Sequence, residues 1–192
     1  LDVNGALPSD LLHGRYAGVV TWFNEPLNNA PHYSAWLQRQ MEHGLRAAIV
    51  GLPGIPISDA LGSLIGLREV HGVSPQGLTI VDHDDMANFE GLPQSPPAPQ
   101  TSYELVGNGL VAHLTLRDQN GRVMAPIVTG SWGGLASYPW IFQEANEYQR
   151  RWNLDPFAFL QRALMLPEIP VPDATTENGA RYWMTQIDGD AF

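Results

Sequence analysis

The hydrophobic pattern of this chain opens with short apolar runs separated by helix-period stripes. Tyr16–Phe23 is β-branched and aromatic behind a lead-in containing Pro and Gly, and it predicts a buried strand. Asn28, Asn29 and Pro31 supply helix-start chemistry. Tyr33, Trp36, Leu37, Met41 and Leu45 then recur at spacings of three and four, which makes one helix face. Gly44 closes that helix, and Ala47–Val50 predicts a second short buried strand. Ser58 reads as the N-cap of another helix, with Leu61, Leu64 and Ile65 inward and Gly66 near its end. Leu78–Val81 predicts a third strand. Strand, helix, strand, helix, strand is the order of a parallel sheet with right-handed crossovers.

The pattern changes after Phe89. Gln94–Gln100 is a polar, Pro-rich loop that cannot pair in a sheet interior. Leu110–Leu116 and Val123–Thr129 flank Asp118-Gln119-Asn120-Gly121, a strong hairpin signal. Gly130-Ser131-Trp132-Gly133-Gly134 reads as a tight turn leading to Tyr138–Phe142. Asp155-Pro156 starts a last helix as N-cap and first-turn proline, with Leu160, Ala163 and Leu164 apolar and Pro167 as its stop. The expectation is therefore an α/β domain over residues 10–167. It has a mainly parallel sheet with flanking helices, flavodoxin-like or amidotransferase-like, and a β-hairpin in its second half. A Pro-rich linker over 168–180 follows, and residues 181–192 begin a further strand.

Composition narrows the chemistry. The 192 residues carry 20 acidic side chains against 10 basic ones, for a formal charge of −10, and every basic residue is Arg. Such a chain lacks the basic face that nucleic acid or an anionic membrane requires. With no Cys it has no disulfide, no zinc-thiolate site and no amidotransferase-type nucleophile. Apolar runs such as Leu45–Gly51 and Leu61–Leu67 are far shorter than the roughly 20 residues of a spanning helix. The chain starts without Met or a basic leader and stops just after strand-like residues, so the sequence reads as a piece of a longer protein.

Three groups of residues could carry chemistry. Asp188 and Asp190 lie two apart at the end of a strand-like run, where one carboxylate can serve as a base and the other as a metal ligand; the plain alternative is an acidic turn. Asp82, His83, Asp84 and Asp85 follow the third predicted strand, at a carboxyl edge where open α/β sheets bind ligands. They offer donors for a hard or borderline cation, or simply a solvated loop. Trp22, Asn24 and Glu25 end the first strand at the same predicted edge, as a sugar-stacking group or as the rim of the core. The glycines at 130–134 lack a following helix and a Lys, so a turn is preferred to a phosphate cradle. No G-x-G-x-x-G follows the first strand and no G-x-S-x-G elbow is present. The six His residues form no H-E-x-x-H motif.

One stretch is familiar. Arg151-Trp152-Asn153-Leu154-Asp155-Pro156-Phe157-Ala158-Phe159-Leu160, then Pro170–Asp173 and Thr175–Gly179, leading to Ile187-Asp188-Gly189-Asp190, resemble the exopolysaccharide biosynthesis family PelA. The likeness is specific over 151–190 and general over 16–130. It implies a periplasmic, multidomain protein of Pel biofilm polysaccharide biosynthesis, with a glycoside hydrolase domain, a middle α/β domain and a polysaccharide deacetylase domain. On that map this chain is the middle domain plus the start of the deacetylase domain. Asp188 then matches the general base and Asp190 a ligand of the divalent, zinc-like metal of the complete deacetylase domain, whose His ligands would lie beyond residue 192. Ala191 stands where the family pattern has a second glycine. The implied role is a non-catalytic scaffold or carbohydrate-binding module that needs no cofactor of its own. Its implied partners are an amino-sugar polysaccharide, the neighbouring domains and Pel assembly proteins. The strand–helix order leaves a flavin-dependent, reductase-like domain as the competing reading.

Overall fold

A computed structural model describes residues 2–96, 98–146, 149–168, 176–177 and 180–181. Along the chain come β1 (Gly18–Phe23), α1 (Ala30–Glu42), β2 (Arg46–Gly51), α2 (Asp59–Ile65), β3 (Leu67–Val73) and β4 (Thr79–His83). A 3-10 turn at Asp85–Ala87 is followed by β5 (Gln100–Leu105), β6 (Val111–Arg117), β7 (Val123–Gly130) and β8 (Gly133–Ser137). Then come β9 (Phe142–Asn146), β10 (Gln149–Trp152), α3 (Pro156–Ala163) and two two-residue strands, β11 (Thr176–Glu177) and β12 (Ala180–Arg181).

Helix boundaries follow local chemistry. The Ser58 hydroxyl accepts from the Leu61 N–H at 3.3 Å, and Gly66 ends α2 in the left-handed conformation with φ 72°. The Asp155 carboxylate accepts from the N–H groups of Phe157 and Ala158, both at 3.0 Å, with Pro156 in the first turn of α3.

The central sheet has the order β1-β2-β8-β7-β6-β4. Strands β1, β2 and β8 are mutually parallel, whereas β8–β7, β7–β6 and β6–β4 pair antiparallel. Alternation along β2 sends Ala47 and Ile49 to one face and Ala48 and Val50 to the other. On the first face, Ile49, Val128 and Leu135 meet Trp36, Leu37 and Met41 of α1, Leu61 and Ile65 of α2, and Leu67 and Tyr103 of the antiparallel β3–β5 ribbon. On the second, Val50, Ile127 and Ala136 pack with Phe159 and Ala163 of α3, Met86 and Ala87 of the 3-10 turn, and Trp140 and Ile141.

This corrects the expected fold class. The molecule is not a helix-flanked, mainly parallel α/β fold: strands dominate, its sheet is mixed, and a β-ribbon shares one face with two helices. The expected strand–helix progression holds through β2 and then breaks. After α2 the chain forms β3, which pairs with β5 outside the sheet. Leu78–Val81, expected as the third parallel strand, falls in β4, an antiparallel strand at the far margin. The place beside β2 goes to β8, whose first residues, Gly133 and Gly134, look like a turn in the sequence. Packing explains this. A Cβ at Gly133 would stand 1.9 Å from the Ala47 carbonyl oxygen, and φ is 136°, so only glycine lets β8 approach β2 there. At Gly134 a Cβ would crowd Phe159 at 2.9 Å, so this glycine lets α3 sit close to the sheet.

Candidate functional site

The carboxyl ends of the three parallel strands converge. Phe23 ends β1, Gly51 ends β2 and Ser137 ends β8, and the loops beyond them open a cleft of about 400 Å³. That is within the roughly 300–1,000 Å³ of small-molecule sites. Its walls are Trp22, Phe23, Asn24, Gly51, Leu52, Tyr138, Ile141, Phe142 and Arg150.

Four rings form a continuous row at this end of the molecule. Tyr138 meets Phe142 edge-on with centroids 5.9 Å apart, Phe142 meets Trp152 at 5.9 Å, and Trp152 meets Trp22 at 6.0 Å with an interplanar angle of 81°. These are the edge-to-face separations at which aromatic quadrupoles attract. The two ends of the row, Trp22 and Tyr138, are 47% and 49% exposed. Half-exposed large rings in contact with a supporting row present apolar faces to a ligand without relying on that ligand for their position. The Arg150 guanidinium carbon lies 5.1 Å from the Phe142 ring centre, a cation–π contact at the cleft wall.

A strap anchors the row from behind. After the 3-10 turn, residues 89–92 run beside the end of β10. The Phe89 N–H donates to the Asn153 carbonyl, and the Glu90 N–H to the Trp152 carbonyl, at 3.0 and 2.9 Å. The Glu90 carboxylate accepts from the Trp152 N–H at 2.6 Å, and the buried Asn153 amide donates to the Gly91 carbonyl at 2.6 Å. The backbone beneath Trp152 is therefore paired on both sides.

Trp22 and Asn24 line this cleft, and Glu25 lines a depression that adjoins it. Asp82, His83, Asp84 and Asp85 are not with them. They lie at the end of β4, five strands away across the sheet on a strand antiparallel to β1. The single expected ligand edge is thus two separate places, because β4 enters the sheet in the opposite direction. Asp188 and Asp190, with the metal that the resemblance attaches to Asp190, lie outside the described residues. Among the described residues, no three His, Asp or Glu side chains are grouped so as to hold a metal ion.

Within the acidic run, Asp84 has a specific partner. Its carboxylate meets His113 Nδ1 at 2.7 Å, and His113 Nε2 meets the Thr129 hydroxyl at 2.8 Å. Carboxylate, imidazole and hydroxyl stand in the order of a nucleophilic relay. However, His113 is fully buried and Thr129 is 2% exposed, so no substrate reaches the hydroxyl. The chain fastens the end of β4 to β6 and β7. Its origin is a bulge: Ala112 pairs with Val128 and Leu114 with Ile127, leaving His113 as the extra residue, re-aimed as bulges do.

Sequence reasoning missed Tyr138, Phe142, Arg150 and Trp152 as site residues, and His113 with Thr129 as a pair. A cluster of five aromatic residues over 138–152 was the available signal, since Tyr138, Trp140, Phe142, Tyr148 and Trp152 fall within one short stretch of sequence. Among the described residues, the cleft walls offer stacking surface, the Asn24 amide and the Arg150 guanidinium, with no carboxylate or imidazole.

Compared with family profiles, with curated proteins and with solved structures, the chain matches none of them.

Proposed function

We propose that this chain is a saccharide-binding domain and that the cleft between Trp22 and Tyr138 holds the sugar. The observation that carries this reading is the supported aromatic row, exposed at both ends, beside the Asn24 amide and the Arg150 guanidinium. A pyranose presents a face of C–H groups, which suits the electron-rich face of an aromatic ring, and a rim of hydroxyls, which suits an amide and a guanidinium. In the setting implied by the PelA-like residues 151–190, the sugar belongs to the Pel amino-sugar exopolysaccharide. The domain then works in the periplasm beside hydrolase and deacetylase domains, presenting polymer to them rather than transforming it.

The test is a titration of the purified chain with N-acetylgalactosamine and galactosamine oligomers, followed by tryptophan fluorescence and calorimetry. Binding is expected, with Trp22→Ala and Tyr138→Ala each weakening it about tenfold, the equivalent of 1.4 kcal/mol of lost stacking. The charge of −10 steers cationic oligomers toward the surface, so their association slows as salt screens it. Absence of binding, or binding indifferent to both substitutions, overturns this reading and leaves the scaffold role. A yellow protein that releases flavin would replace it with the reductase-like reading.

A further inference from the structure

We infer that the open edge of β1 pairs with the same edge of a second copy of this chain, joining the two central sheets into one. The pairing does not depend on what the cleft binds. In the central sheet β1 has a neighbour on one side only. The Phe23 carbonyl accepts from the Leu52 N–H, just past the end of β2, at 3.0 Å. Backbone groups alternate in direction along a strand, so Val19, Thr21 and Phe23 address β2, while Gly18, Val20 and Trp22 turn their N–H and C=O groups outward. Among the described residues, none of those outward groups has a hydrogen-bond partner. A row of this kind is a template for another strand.

The order of side chains along this edge is complementary to itself. Two copies related by a two-fold axis pair antiparallel, and each residue meets the one equally far beyond the axis. With Val20 on the axis, Val20 faces Val20 of the second copy and Gly18 faces its Trp22. These are all outward residues, so each facing pair exchanges two N–H···O bonds. The large ring falls beside the residue with no side chain, the arrangement that shields an edge glycine. Leu164 of α3 already lies over Gly18, where a Cβ would stand 2.5 Å from its side chain, and gives that ring an apolar neighbour. Charge follows the same centre. Arg15 stands five residues before Val20 and Glu25 five after it, so Arg15 of each copy comes opposite Glu25 of the other. Both are exposed, and among the described residues neither forms an ion pair; the Arg15 guanidinium lies 5.5 Å from the Tyr16 ring centre. Between them β1 carries no charge, so two copies of net charge −10 meet along a neutral strip. A register two residues away in either direction sets Val20 against Gly18 or Trp22 and parts Arg15 from Glu25.

The test is sedimentation equilibrium of the chain at about 0.15 M salt, where repulsion between the two copies is screened beyond roughly 8 Å. One strand a side makes a small interface, so a monomer–dimer equilibrium with a dissociation constant on the order of 10–100 µM is expected. Val20→Lys puts like charges on the axis and weakens the dimer at least about tenfold, while the chain still unfolds cooperatively. Arg15→Glu weakens it about two- to fivefold, the range of an exposed ion pair, and adding Glu25→Arg restores it. Register has its own readout, because the chain has no cysteine. Facing hydrogen-bonded residues have Cα atoms about 5.5 Å apart, within reach of a disulfide. Mild oxidation is therefore expected to link copies carrying Val20→Cys and not those carrying Val81→Cys, at an exposed position of the β4 margin. A dimer indifferent to Val20→Lys, or equal crosslinking at the two positions, overturns this inference. A chain monomeric at every concentration also overturns it, and leaves the β1 edge to a strand from a different protein.

Discussion

The two margins of the central sheet differ in how they finish. At one, β1 has no charged residue, no proline and no register break, and it leaves Val20 and Trp22 half exposed. At the other, β4 skips register between Ile80 and Asp82, carries Asp82 and His83, and turns into a 3-10 segment held by a buried His. Register breaks and charge are the usual means of blunting an edge strand. The β4 margin is protected and internally satisfied. The β1 margin keeps apolar surface exposed next to a cleft. Exposed apolar rings beside a cleft are the kind of surface at which ligands bind, and this contrast is what favours the β1 margin for the proposed saccharide site. Acidic residues drew attention in the sequence to the margin that the fold closes.

The sharpest way to break the comparison is to remove the strand that connects the two halves. Gly133→Ala puts a Cβ against the Ala47 carbonyl in a backbone conformation that L-residues avoid. The expected cost exceeds about 4 kcal/mol, seen as loss of the cooperative thermal transition or of soluble protein. A substitution that leaves the melting temperature unchanged would mean that β8 is not seated beside β2. Next comes His113→Ala, which opens a buried volume and leaves the Thr129 hydroxyl and the Asp84 carboxylate without their partner. It is expected to cost about 2–4 kcal/mol in chemical denaturation, and to leave saccharide binding intact once the protein is folded. Equal damage to binding would show that the two margins are not separate.

Trp22→Ala sharpens the comparison from the other side. Its ring is half exposed, so the loss in stability is under about 1.5 kcal/mol, while affinity falls about tenfold by calorimetry. The smallest effect is expected of Asp82→Asn. An exposed carboxylate at the closed margin changes stability by no more than about 0.5 kcal/mol in either direction, and it leaves the affinity for oligosaccharide where it was. A strong effect of Asp82→Asn on binding would return the acidic run to the site.

Burial acts on two phenols in the core of the α1–α2 face. It pushes Tyr33 and Tyr103 well above the ordinary tyrosine range, with the Glu69 charge adding to the effect at Tyr103. Both are therefore neutral packing groups.

Much of this molecule was determined by short stretches of sequence acting alone. Ser58 and Asp155 mark helix starts because such a cap is a bond between a side chain and backbone two or three residues away, and Gly66 marks a helix end because its own backbone takes the left-handed conformation. Asp118–Gly121 turns the β6–β7 hairpin because its Asx chemistry is equally local: the Asp118 carboxylate accepts from the N–H groups of Asn120 and Arg122 at 2.8 and 2.9 Å. The part of the candidate cleft at Trp22 and Asn24 was also legible, as the end of a strand with aromatic and amide groups. Only tertiary structure decided the rest. Nothing near Leu78–Val81 indicates that its neighbour in the sheet is β6 and not β2, since strand direction is set by distant pairing. Gly133 and Gly134 have the composition of a turn until β2 lies beside them and only glycine fits. Tyr138, Phe142 and Trp152 join Trp22 across more than a hundred residues of chain, through the seating of β8, β9 and β10 around one end of the sheet. A ligand cleft is a coincidence of surfaces in space, and periodicity along a chain carries no record of which surfaces will meet.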